Sequence, residues 1–81
     1  MITIKWAAIK HKDKVYTGYR HALIMAKIWD EIGGEYISDE EQGFVTSEGL
    51  FVSRTEAADI AFKAGQIGSG INSLDSYQIF K

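Results

Sequence analysis

The sequence predicts a single α+β domain: two β-hairpins sharing one antiparallel sheet, each followed by a helix, with both helices packed on one face. Three observations predict it. In one stretch, residues 2–10, apolar residues alternate with polar ones, the period of a strand. In two others they recur every three or four residues, the period of a helix. Glycines and short polar runs stand at most of the boundaries between them. The 81 residues give room for one domain, 1–81. Its core is expected over roughly 2–67, with 68–81 as a C-terminal tail or a short final strand.

Ile2, Ile4, Trp6 and Ala8 alternate with Thr3, Lys5 and Ala7, so residues 2–10 read as a strand with the first set turned inward. His11-Lys12-Asp13-Lys14 breaks the pattern as a turn, and Val15-Tyr16-Thr17 is the β-branched and aromatic return strand. From Tyr19 to Ile32 the period is helical. Ala22, Met25, Ala26, Trp29 and Ile32 share one face, which assigns Trp29 to the core; Leu23, Ile24 and Ile28 widen the apolar surface. Gly33-Gly34 stops this helix. A polar connection follows, acidic at Glu35, Asp39, Glu40 and Glu41.

Gly43 to Thr46 and Leu50 to Val52 flank Ser47-Glu48-Gly49, a second tight hairpin in which the Glu-Gly pair supplies positive backbone angles. Ser53-Arg54-Thr55-Glu56 is a capping box that opens the second helix. Ala57, Ile60, Ala61 and Ala64 form its apolar stripe, and Gly65 closes it. Residues 66–70 read as a linker. The two halves show a faint likeness: Tyr16-Thr17-Gly18 before Ala22 and Ala26 parallels Phe51-Val52-Ser53 before Ala57 and Ala61.

Composition narrows the function. The apolar fraction of 46% supports a real core rather than a disordered chain. Cysteine is absent, which removes disulfide and thiolate-zinc staples and suits the cytoplasm. No signal-peptide pattern and no apolar run of membrane-span length is present, so no membrane partner is expected. Nine basic and eleven acidic residues give a net charge of −2. That balance argues against direct nucleic-acid binding, whose affinity comes largely from cations on phosphates.

No catalytic constellation stands out, and the chain is expected to be no enzyme and to carry no cofactor. His11 and His21 lie in different elements without cysteine, too few for a metal site. Ser53 is explained as a cap. The glycines at 65, 68 and 70 match neither the dinucleotide nor the P-loop spacing, and their loop follows a helix instead of opening one. Tyr19-Arg20-His21 at the first helix start is the most function-like cluster. Arginine, histidine and helix amides there can hold an anion, and Arg54 occupies the comparable place in the second half. If the halves pack by pseudo-symmetry, Arg20 and Arg54 line one site.

The segment Gln42-Gly43-Phe44-Val45-Thr46-Ser47-Glu48-Gly49-Leu50-Phe51-Val52-Ser53-Arg54-Thr55-Glu56-Ala57, continuing to Ile67, together with Tyr16-Thr17-Gly18-Tyr19-Arg20-His21, resembles small accessory proteins encoded by phages and prophages. The resemblance covers roughly residues 14–67. It implies an accessory viral protein acting inside the host cell, in a class that includes anti-CRISPR proteins and the nucleotide sponges that oppose Thoeris signalling. The leading expectation is a non-catalytic inhibitor that binds and blocks a host defence complex, with the acidic residues Glu35, Asp39, Glu40 and Glu41 meeting a basic groove. The alternatives are a sponge holding a nucleotide ligand on Arg20, His21 and Arg54, across a homo-oligomer interface, or a small virion structural protein.

Overall fold

The computed structural model describes residues 1–33, 37–38 and 41–80. Strand β1 (Ile4–His11) turns back as β2 (Lys14–Gly18). Lys12 and Asp13 both hold positive φ, 49° and 65°, as a two-residue hairpin turn with the right twist requires. Helix α1 (His21–Ile32) crosses over to β3 (Gln42–Thr46), which turns into β4 (Phe51–Ser53). Helix α2 (Arg54–Lys63) follows, and a 3-10 turn (Ser76–Gln78) lies near the C-terminus.

The sheet order is β2-β1-β3-β4, antiparallel throughout, so the two hairpins join through their first strands. Gly18, Ala7, Phe44 and Val52 form one cross-strand row and therefore share a face. Ile24 and Ile28 of α1, with Ala57, Ala58 and Ala61 of α2, pack on that face in a single buried cluster. Both helices thus lie on one side, as the sequence predicts. Gly18 has a packing role here: a Cβ on it would stand 3.1 Å from Cγ1 of Ile24, so the bare glycine lets α1 settle onto the edge of the sheet.

The alternation in β1 differs from expectation because the β1–β3 register shifts between Ile4 and Trp6. The bulge carries the chain past Lys5 and reverses the side-chain phase. Ile4, Ala7 and Ile9 face the core, whereas Trp6 and Ala8 turn to the opposite face and Ile2 is exposed. Trp6 is consequently half-buried rather than a core residue.

Helix α1 is also rotated relative to its expected phase. Its buried stripe is His21, Ile24 and Ile28; Ala22 and Ala26 are exposed, and Trp29 keeps 57% of its surface in solvent. The helix carries two apolar stripes. Spacing alone does not choose between them, and the slot over Gly18 takes the β-branched isoleucine. Gly33, at φ 78°, caps α1 with its N–H donated to the Trp29 carbonyl; Gly34 lies outside the described residues. In α2 the Glu56 N–H donates to Ser53 Oγ at 3.1 Å, one half of the expected capping box, while the Glu56 carboxylate accepts from Ser53 Oγ at 3.4 Å. In the second hairpin Gly49 alone of the Glu-Gly pair has positive φ, at 82°.

The segment after α2 belongs to the domain. Gln66 docks on β1, its Oε1 accepting from the Ile4 N–H at 2.7 Å and its Nε2 donating to the Ile4 carbonyl at 2.9 Å. Leu74 is fully buried in the core cluster, and Ile79 and Phe80 pack against it. Of the two expectations for this segment, a tail or a short final strand, the structure shows the tail, an irregular strap packed on the core and carrying the 3-10 turn.

Candidate functional site

Arg20, His21 and Arg54 all converge on this strap. Each helix opens where its hairpin ends, and the shared sheet row sets both openings at the same level of the core face, after the two edge strands β2 and β4. Arg20 is the N-cap of α1, yet a guanidinium has no acceptor to offer a helix amide. Ser76 supplies one: the His21 N–H donates to its Oγ at 3.2 Å. Arg20 instead donates Nε to the Phe80 carbonyl at 2.8 Å. On the other side, Arg54 donates Nη1 to Asp75 Oδ1 at 2.6 Å and to the Leu74 carbonyl at 3.1 Å, and Nη2 to Gln42 Oε1 at 2.7 Å. The Leu74 N–H returns a bond to the Arg54 carbonyl.

The anion expected between the two arginine-bearing helix starts therefore has a counterpart within the chain. Asp75 places its carboxylate on Arg54, where helix amides and guanidinium favour negative charge. Arg20 and Arg54 both bond the segment 74–80, at Phe80 and at Leu74 and Asp75, and sequence reasoning missed Gln42, Asp75 and Ser76 as partners at the two helix starts. The only sequence signal was the Asp75-x-x-Gln78 spacing, which the structure uses locally: the Asp75 N–H donates to Gln78 Oε1 at 2.7 Å.

His21 is buried against Phe44, ring edge to ring face at 5.0 Å, with Nε2–H donated to the Gly43 carbonyl at 2.7 Å. Burial, with Arg54 nearby, lowers its pKa below the ordinary 6.5, against the opposing pull of the Gly43 bond. The unfolded chain then takes up this proton more readily than the folded one, so stability falls as pH drops below 6.5 and levels off below the lowered pKa. Glu41 adds a second acid step. Its bond to His11, helped by Ser38, holds its pKa below the ordinary 4.5; the stability it contributes is present above that value and lost as pH falls through the folded pKa. Melting temperature is expected to decline from pH 7 to 5, and His21→Gln to flatten that interval. A wild-type profile already flat there would refute the assignment.

Of the expected acidic interface, Glu35, Asp39 and Glu40 lie outside the described residues. Glu41 is tied to His11 and to Ser38, so its carboxylate has an internal role. Tyr19 does not join the arginines. It is 60% exposed and packs its ring on Trp6 at 5.2 Å and on Phe80 at 5.7 Å. Trp6 pairs with Val45, and Val45 with Phe51, so these three side chains form a row on the sheet face away from both helices. The Phe51 ring lies over Gly43 in the same face. A groove of about 380 Å³ between residues 66–71 and Tyr77 has no charged side chain in its lining. Among the described residues, no group of three or more His, Asp or Glu is placed to hold a metal, and no helix is long and apolar enough to cross a membrane.

These features define a small α+β domain whose two helix starts are both bonded to its own C-terminal strap, with a half-buried row of Trp6, Val45 and Phe51 on the sheet face away from the helices. The family model described as phage T4 y16D protein matches residues 3–80, and the chain belongs to that family. No curated protein and no solved structure matches it.

Proposed function

We propose that this phage protein is a non-catalytic inhibitor that acts in the host cytoplasm by binding a subunit of a bacterial defence complex. Membership of a phage protein family supports the viral setting. The observation that carries the binding mode is the aromatic face: Trp6, Val45 and Phe51 in a row, flanked by Tyr19 at 60% exposure. Rigid aromatics on a sheet supply large contact area at little entropic cost, which is how protein interfaces obtain most of their energy. This moves the proposed contact from the acidic connection to the aromatic row on the sheet.

The test is affinity capture from a host lysate with active defences, using the full chain and a Tyr19→Glu, Phe51→Glu double variant. The wild type is expected to retain one defence subunit in stoichiometric amount, and the double variant to lose it while keeping its circular dichroism spectrum. Capture of no protein by the wild type would overturn the proposal. A nucleotide sponge is the second reading, supported by the gathering of Arg20, His21 and Arg54. A ligand there would have to displace Asp75, and a rise in melting temperature with a cyclic or ADP-ribose nucleotide would establish it.

A further inference from the structure

The exposed stripe of α1 is Ala22, Ala26 and Trp29, at spacings of four and three, running over two turns and about 10.5 Å, with Met25 beside it partly buried against the core. These four residues line a shallow groove of about 280 Å³. Leu23, 67% exposed, borders it. The stripe is bulky at its C-terminal end, where Trp29 stands, and small at its N-terminal end, where Ala22 and Ala26 leave a notch. A shape of that kind complements itself when a second copy is laid across it head to tail.

The charges at the ends of α1 point the same way. The helix has no acidic residue in its first turn and no basic residue in its last. Instead Arg20 stands at the N-cap, and Asp30 and Glu31 stand near the C-terminal end. Each sign is unfavourable to the dipole of its own helix. An antiparallel neighbour reverses the relation, because its acidic end arrives at the positive end of the first helix.

We infer that α1 is the interface of a homodimer in which two copies pack antiparallel about a two-fold axis at the level of Met25 and Ala26. This register sets Trp29 of each copy over Ala22 of the other, and Asp30 beside the Arg20–His21 turn of the other. Every contact is made twice, as a closed two-fold interface demands. The exposed apolar surface of the stripe and Leu23 comes to roughly 400 Å², about half of what each partner loses in an interface of ordinary size. That is the proportion expected of an apolar centre inside a polar rim. The stripe lies on a helix and the aromatic row on the sheet face away from both helices, so the dimer contact does not use that row.

Sedimentation equilibrium of the full chain at about 100 μM tests the inference, a concentration that populates a dimer of micromolar Kd. The wild type is expected at twice its 9.1 kDa chain mass. Ala26→Arg, at an exposed position, is expected to sediment at the single-chain mass with an unchanged circular dichroism spectrum, and Asp30→Arg to raise the Kd at least tenfold. A wild type at single-chain mass would overturn the inference, including the case in which α1 serves a different protein. A dimer that survives Ala26→Arg and Trp29→Lys would overturn it as well.

Discussion

Gly43→Ala is expected to lower the melting temperature by roughly 12–24 °C, the shift that follows from a loss of about 3 kcal/mol in a domain of this size. Gly43 sits in β3 between Ala8 and Ser53. A Cβ there would overlap the Val52 carbonyl oxygen and stand 2.8 Å from Cζ of Phe51. The ring can swing aside. The carbonyl is backbone in the adjacent strand, so β3 and β4 would have to separate. Their separation also disturbs the Gly43 carbonyl that holds His21. Thermal denaturation followed by circular dichroism measures the effect, and a shift of under about 3 °C would mean that β4 moves without cost. Gly49→Ala is not a substitute test, because its difficulty is the positive φ and not space.

Arg54→Ala is expected to release the strap. The substitution removes three side-chain bonds, to Asp75, Gln42 and the Leu74 carbonyl, and leaves the buried Gln42 amide oxygen without that partner. Asp75 is 47% exposed on its side chain, so solvent compensates part of the lost pairing; about 2 kcal/mol is the resulting expectation. The more specific readout is local. Amide exchange at Leu74 and Phe80 is expected to quicken at least tenfold, beyond the change at Ile9 in the centre of the sheet. Arg54→Lys keeps the charge but not the planar fork, and is expected to restore only part of the protection. Equal quickening at all three amides would show that Arg54 supports the whole fold and not the strap in particular.

Most of the architecture was legible because local chemistry and global packing agree. The hairpin turns, the Ser53 cap and the Gly33 stop are short-range signals, and the structure places each close to its expected residue. Two features were not legible. The bulge after Ile4 has no mark in the sequence, and a one-residue slip exchanges the two faces of a strand; that is why Trp6 was assigned inward. On α1 the stripes Ile24–Ile28 and Ala22–Trp29 are equally apolar. The choice is made by a glycine on another strand, six residues before Ile24. The candidate site was half legible. Cations at helix starts are visible in sequence, but the carboxylate that answers Arg54 comes from 21 residues downstream, inside a stretch without periodicity. Three of the four acidic residues expected to form an interface, Glu35, Asp39 and Glu40, lie outside the described residues.

The strap has a consequence for synthesis on the ribosome. The bonds that seat the start of α1 join residues 55 and 60 positions apart, and the Gln66 clasp on β1 spans 62. While residues 1–65 are emerging, the first strand lacks its clasp and α1 has no acceptor for its first amide. The nascent chain can form its hairpins, helices and sheet in order, but the contacts of the strap with the start of α1 wait until residue 80 has cleared the exit tunnel. Closure by such distant contacts slows folding relative to a helical bundle of equal length.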